Sequence, residues 1–325
     1  MADIKYIWKA LALTAALTLG LGATGCSSGI PIVSEVRETE GYTDPQTMLV
    51  VATERNRYRQ IYTDQIWNVQ VDDDGTTFQH YLLGEIQDFL REMKTMNLLA
   101  NQEEISLTSQ EKERLRELSE QYYESLSEED RAYTGAGKDD IYTMYEAYHR
   151  ANKLVDELTK DVNLEISDSE AKVITVQEIR LGDAARAQEV YGQVTVENAD
   201  FSSIARTVSE DDSIEKSVGR SERAKAYEDV VFALESGQIS PVIEDGGAWY
   251  IVKCINDYDE EATLERKQKL ALQRKNQAFR EIYDVFAAEH PVEIRGSIWD
   301  DISLTDGAAS TTTGFFEMYQ DFMNP

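Results

Sequence analysis

The chain of 325 residues has two cysteines, five prolines and three histidines, and its 32 Lys and Arg face 61 Asp and Glu. Each scarcity excludes something. Two cysteines cannot make a disulfide framework, so stability has to come from packing. His80, His149 and His290 lie far apart, and neither HExxH nor CxxC occurs, so no metal site is expected. A formal charge of −29 leaves no basic stripe to displace the counterions of a polyphosphate, so no nucleic-acid partner is expected. There is no Walker loop, and the GxGxxG and GxSxG spacings occur only at Gly20–Gly25 and Gly25–Gly29, inside the N-terminal apolar and Cys26 stretch and not between a strand and a helix, so neither supports nucleotide binding or a nucleophile elbow. Asp72-Asp73-Asp74-Gly75 invites a calcium reading. With Gly75 at position six of an EF-hand loop, however, Gln70 and Tyr81 fall where carboxylates are needed, so the segment reads as a polar turn.

What is present is an ordinary apolar fraction, 42%, in a chain long enough for two domains. At the N-terminus, Lys5 and Lys9 precede the apolar run 10–23, which is shorter than the ~20 residues of a membrane span and reads as a secretory signal. Ala23-Thr24-Gly25-Cys26 resembles a bacterial lipobox, with Ala23 where Leu is usual. The resemblance implies removal of residues 1–25, acylation of Cys26, and a protein lipid-anchored on the outer face of the cytoplasmic membrane. Cys254, in the strand-like run Trp249–Ile255, reads as a small buried hydrophobe.

Composition divides the rest. Residues 26–47 are expected to be a tether. Residues 48–172 have helical periodicity: Leu82, Leu83, Ile86, Leu90 and Met93 form one stripe, Leu115, Leu118, Tyr122 and Leu126 a second, and Ile141, Met144, Tyr145, Tyr148, Val155 and Leu158 a third. Thr108 and Glu111 have capping-box spacing. From 173 to 257 the texture becomes a β-α mixture. A long helix returns within 258–304, with Leu264, Ala271, Ala278, Phe279, Ile282 and Phe286 read as its apolar side. Its basic block (Arg266, Lys267, Lys269, Arg274, Lys275, Arg280) is expected to face the acidic stretch Glu103–Asp130. The fold class expected is thus α+β, a helical chaperone-like domain built from both chain ends with a β-α domain inserted into it. Within 305–325, Ser310-Thr311-Thr312-Thr313-Gly314 reads as a low-complexity linker. The following Phe315–Met323 is too apolar for an idle tail and is expected to seat in an apolar groove of its own molecule or of a neighbour.

Within 173–257, Val176-Gln177-Glu178-Ile179-Arg180-Leu181, Ala199–Ala205, Val208-Ser209-Glu210-Asp211, Tyr227–Leu234, Gly237-Gln238-Ile239-Ser240-Pro241-Val242 and Trp249–Lys253 follow one another in a telling order. Order and spacing resemble a parvulin-type peptidyl-prolyl cis-trans isomerase domain, most specifically from Phe232 to Val242. The resemblance covers about a quarter of the chain. With the helical segments and the signal, it extends to the PrsA and SurA type of extracytoplasmic foldase. An X-Pro amide turns over a barrier of ~18–20 kcal/mol, slowly enough to limit folding. The resemblance implies a domain that lowers this barrier in an apolar proline cup, without a cofactor, between two histidines and a central Cys or Asp.

Here the first family histidine falls on Glu178 and the second on Tyr250. The central acid is Asp211, the cup aromatic is Tyr227, and the usual cup Met or Leu is Arg223, with Phe232 completing the substrate side. An imidazole pair cannot be reproduced by Glu and Tyr, so weak or lost isomerase activity is expected. The implied partners are unfolded or newly secreted polypeptides and, through Cys26, the membrane. The rival readings are a pure holdase and a structural envelope lipoprotein.

Overall fold

The computed structural model describes residues 37–39, 41–294 and 298–323. The lipobox and Cys26 lie outside them. The chain is mixed helix and sheet and divides into two compact units: residues up to 161 together with 278 onwards, and residues 162–277. The second unit starts before and ends after the β-α texture, because it also holds a short helix at Asp168–Ala171 and the first part of the long helix Glu260–Glu289.

In the first unit, helix α1 (Asp44–Arg59) opens on a capping box, Thr43 with Gln46, and has Pro45 in its first turn. Helices α2 (Phe78–Gln102), α3 (Ser109–Ser125), α4 (Glu128–Thr134) and α5 (Lys138–Thr159) follow. Thr108 and Glu111 form the expected box: the Glu111 amide donates to Thr108 Oγ1 at 3.2 Å and the Thr108 amide to Glu111 Oε2 at 2.6 Å. All three early stripes are core, with Leu90, Leu115, Leu118, Ile141 and Tyr145 fully enclosed, Val155 buried and Leu158 packed at the margin. The acidic turn is a ribbon end: Gly75 takes φ +84° and Asp72 Oδ1 accepts the Thr76 amide at 2.9 Å.

The seam of the long helix differs from the stripe expected. Phe279, Tyr283 and Phe286 are buried in the helical core, whereas Leu264 and Ile282 are exposed. The buried positions run 4 and 3 apart, and Ile282 sits one residue off that line. Four cations of the basic block have partners other than Glu103–Asp130. In the second unit Arg266 binds Glu222, Lys267 binds Asp168 and Arg274 binds Glu170; in the first, Arg280 pairs with Glu92 at 2.6 Å.

The expected linker is a strap pinned to the helical unit through its backbone and Ser310. Ser310 is 1% exposed. Asp130 Oδ1 accepts its hydroxyl at 2.8 Å and the amides of Thr311 and Thr312 at 2.8 and 3.0 Å. Upstream, buried Arg55 donates from Nε to the Leu304 carbonyl at 2.7 Å, and Gly307, at φ +63°, lies so close to the Tyr133 ring that a Cβ could not fit. The tail is helix Phe315–Met323, seated in its own molecule. Phe315 stacks on Tyr145 with ring centroids 4.3 Å apart and meets Tyr122 edge-on, and Phe316 meets Phe89 edge-on.

The second unit is built on a four-stranded antiparallel sheet. Its strands are β2 (Val173–Leu181), β3 (Glu215–Gly219), β4 (Ile243–Asp245) and β5 (Ala248–Asn256), in the order β3-β2-β5-β4; β1 (Arg37–Thr39) pairs with β6 (Val292–Ile294) in the other unit. Ile174, Val176, Val218, Tyr227, Val231 and Val252 fill one core of the module. Ile179, Leu181, Val190, Phe201, Ala205 and Ile251 fill another, against helices Ala184–Val194 and Phe201–Val208. Cys254 is fully buried in β5, and burial pushes its thiol up in pKa, as suits a packing residue.

Candidate functional site

Glu178 and Arg180 are two residues apart on β2 and therefore share one face of the strand. The segment after helix Phe201–Val208 is fastened along this strand, with the Glu210 amide on the Arg180 carbonyl at 2.9 Å and the Glu178 amide on the Ile214 carbonyl at 2.7 Å. That brings Asp211 beside Arg180 and Lys216, at 4.0 and 3.3 Å. Across the sheet, Tyr250 of β5 stands opposite Arg180. A short helix, Lys225–Val231, carries Tyr227, and the residue that sets its entry, Arg223, has its amide held by Glu228 Oε1 at 3.2 Å.

These elements enclose an open cleft of about 360 Å³ lined by Glu178, Arg180, Asp211, Lys216, Arg223, Asp245, Gly246, Ala248 and Tyr250. Four of the expected site residues, Asp211, Glu178, Tyr250 and Arg223, line it. Tyr227 lies completely buried beneath them, and Phe232 is buried in the module's core under the Arg220 guanidinium, 4.3 Å from its ring centroid. Three further charged side chains of the lining, Arg180, Lys216 and Asp245, were not legible as site residues. Arg180 had a signal, its i+2 relation to Glu178; Lys216 depends on the β2–β3 register, which places it opposite Val176.

At the centre is a buried polar cluster. Glu178 is 1% exposed and accepts the Tyr227 hydroxyl at 2.5 Å. Arg223 lies 3.6 Å from the same Glu178 oxygen and 3.9 Å from Asp245, with its guanidinium 4.2 Å from the Tyr227 ring centroid and 4.9 Å from that of Tyr250. The two rings meet edge-on at 5.8 Å. Burial and then the Glu178 carboxylate push the Tyr227 phenol far up, so it stays protonated and donates. The guanidinium thus fills the aromatic corner, satisfied by cation–π contact and two carboxylates. Each carboxylate here is paired with a cation, Glu178 and Asp245 with Arg223 and Asp211 with Lys216 and Arg180. Among the described residues, no group of three His, Cys, Asp or Glu is placed to hold a metal ion.

Each member of this cluster leans on the others. Tyr227→Phe should cost about 1–3 kcal/mol, because the buried carboxylate loses its only short hydrogen bond. Arg223→Ala should cost about 3–5 kcal/mol, because it leaves Glu178 buried without its cation. Hydrogen exchange at the β2 and β5 amides of the full chain reads both; equal protection in wild type and Arg223→Ala would show that the ion pair contributes nothing.

Comparison with known proteins places this module. Residues 176–256 match the family model described as Rotamase, the PPIC-type PPIASE domain. The module is thus of the parvulin type, as its motifs imply. No curated protein matches the chain. Among solved structures it is similar to foldase protein PrsA from Streptococcus pneumoniae, at 19% identity and TM-score 0.29 over 71% of this chain and 97% of that one. It is also similar to the peptidylprolyl isomerase PrsA from Bacillus cereus, at 16% identity and TM-score 0.39 over 72% and 97%. A SurA-like chaperone structure from Campylobacter jejuni matches at 13% identity and TM-score 0.25 over 76% and 95%. At such identities and TM-scores the likeness says nothing about chemistry.

Proposed function

We propose that the protein is an extracytoplasmic folding factor of PrsA/SurA-like organisation. Acylated Cys26 holds it at the outer face of the cytoplasmic membrane, and it binds unfolded or newly secreted polypeptides through its helical domain. Its parvulin-type module contributes binding with little or no isomerase activity. The observation that carries this reading is Arg223: in a module of parvulin sequence, a guanidinium occupies the aromatic corner over Tyr227 and is held there by Glu178 and Asp245. A prolyl ring needs an apolar surface, and removing a paired cation from a buried carboxylate to provide one is costly. No helix among the described residues is long and apolar enough to cross a membrane.

The test is a paired assay on the chain beginning after Cys26. Aggregation of a heat-unfolded protein should be suppressed near equimolar ratio, while refolding limited by an X-Pro bond should be hardly accelerated. Strong acceleration would make the module a working isomerase; aggregation unaffected at excess would leave a structural envelope role. For the anchor, Cys26→Ala should move the protein out of the membrane fraction, and retention there would count against acylation.

A further inference from the structure

Large apolar side chains left exposed are not spread evenly over the described residues. Of the twelve that are exposed, five, Ile61, Tyr62, Val69, Val71 and Tyr81, fall within residues 61–81 of the helical unit. The backbone makes them neighbours. Val69 and Val71 share one face of a short ribbon in which Gln70 bridges Thr77, the Phe78 amide donates to the Val69 carbonyl and the Val71 amide to the Thr76 carbonyl. Phe78, opposite Val69, meets Tyr58 edge-on at 4.9 Å and Tyr81 at 6.1 Å. Ile61 and Tyr62 close on the Tyr58 carbonyl, so the surface runs on to the end of α1. Val71 in this ribbon is followed at once by Asp72-Asp73-Asp74, Asp64 lies between the two halves, and residues 61–81 contain no Lys or Arg. The cation nearest in sequence, Arg59, is paired with Asp64 at 2.9 Å.

We propose that residues 61–81 form the docking surface for an extended apolar segment with basic flanks in an unfolded polypeptide. Apolar area supplies affinity and the aspartate rim selects the flanks. The acidic rim sets this surface against anionic lipid and favours a polypeptide. The proposal rests on the chain-binding role argued above and assigns that role to a place.

A fluorescent peptide, Lys-Lys-Leu-Phe-Ile-Val-Leu-Lys-Lys, serves as probe in anisotropy titrations with the chain beginning after Cys26. The triple variant Ile61→Ser, Val69→Ser, Val71→Ser should bind it at least ~tenfold more weakly. The second variant, Asp73→Lys with Asp74→Lys, keeps the apolar surface. It should weaken this peptide several-fold and strengthen its Glu-flanked analogue. Unchanged peptide affinity in the triple variant overturns the proposal, as does binding to phosphatidylcholine vesicles that only the triple variant loses. If wild type suppresses aggregation and the triple variant does so equally well, this surface is excluded while the folding role stands. If wild type suppresses nothing, the folding role itself fails.

Discussion

A chain ending at Asp306 is expected to lose the cooperative unfolding transition of its helical unit, and Phe315→Ala alone to cost about 3–5 kcal/mol. Deleting the strap and tail removes Phe315, Phe316 and Tyr319 from the core, and it also orphans charge. Asp130 is 4% exposed and Oδ1 accepts three donors from 310–312; without them the carboxylate keeps only the Ser127 amide and hydroxyl, both on Oδ2. Losing partners at a buried charge costs more than the bonds themselves are worth in water. The same contacts set the acid limit. Burial would raise the Asp130 carboxyl, but the Thr312 and Thr311 amides and the Ser127 and Ser310 hydroxyls hold it below its ordinary value. Glu111, half-buried yet bonded to Thr108 and Lys153, is held at about 2. Both folded values are depressed, so both groups contribute stability in full above the unfolded carboxylate range of about 4, and that stability fades as pH falls toward 2. The sign for half-buried His149, hydrogen-bonded to Tyr319 of the tail at 2.7 Å, is the same. Its pKa is lowered mainly by burial, so stability falls below about pH 6.5, where the unfolded imidazole takes a proton first. Urea midpoints of the full chain should therefore drop in two stages on acidification. A chain ending at Asp306 that still unfolds sharply at neutral pH would show the tail to be an ornament.

How much of this was readable depended on whether the cause was local. The three early stripes repeat at the helical period, so the core positions of α2, α3 and α5 followed from spacing alone, and the Thr108 capping box needed only two residues. In the module, Gly237 takes φ +92° and the segment after it pairs along β5, which is why the stretch from Phe232 to Val242 kept a recognisable pattern. The strap failed the reading because its anchoring is caused at a distance: a run of Ser and Thr looks like a free linker until Asp130, some 180 positions away, is seen to need its amides. The long helix failed for a related reason. Its residues are apolar on more than one side, and only the helices packed against it choose Phe279 and Tyr283 over Leu264 and Ile282. In and beneath the cleft, Glu178, Tyr227, Arg223 and Asp211 could be named from the motifs, but not that Arg223 stacks on the rings of Tyr227 and Tyr250. That follows from the meeting of helix Lys225–Val231 with β5, which no local spacing encodes.

That stacking defines the second large effect. The triple replacement Glu178→His, Tyr250→His, Arg223→Leu is expected to raise isomerase activity at least ~10²-fold above wild type, since one positioned acid–base group commonly contributes ~10²–10⁴-fold. The three changes belong together. Arg223→Leu alone would open the aromatic corner to a prolyl ring, but it would strand Glu178, whose other partner is the neutral Tyr227 hydroxyl. Glu178→His removes the carboxylate that needed the cation, and the new imidazole can accept from or donate to Tyr227. Tyr250→His places the second imidazole on β5 at the cleft wall, opposite Arg180. Asp211 would then matter. In wild type it is paired with Lys216 and Arg180, so Asp211→Ala should change little there, yet the same change in the triple variant should remove most of the activity gained. Turnover of a Pro-containing peptide, followed against the slow uncatalysed rate, reads all four proteins. No gain in the triple variant would mean that Glu178 and Tyr250 do not occupy the imidazole positions. Robust wild-type turnover destroyed by Asp211→Ala would mean that the guanidinium leaves the corner readily and that the module is an isomerase as it stands.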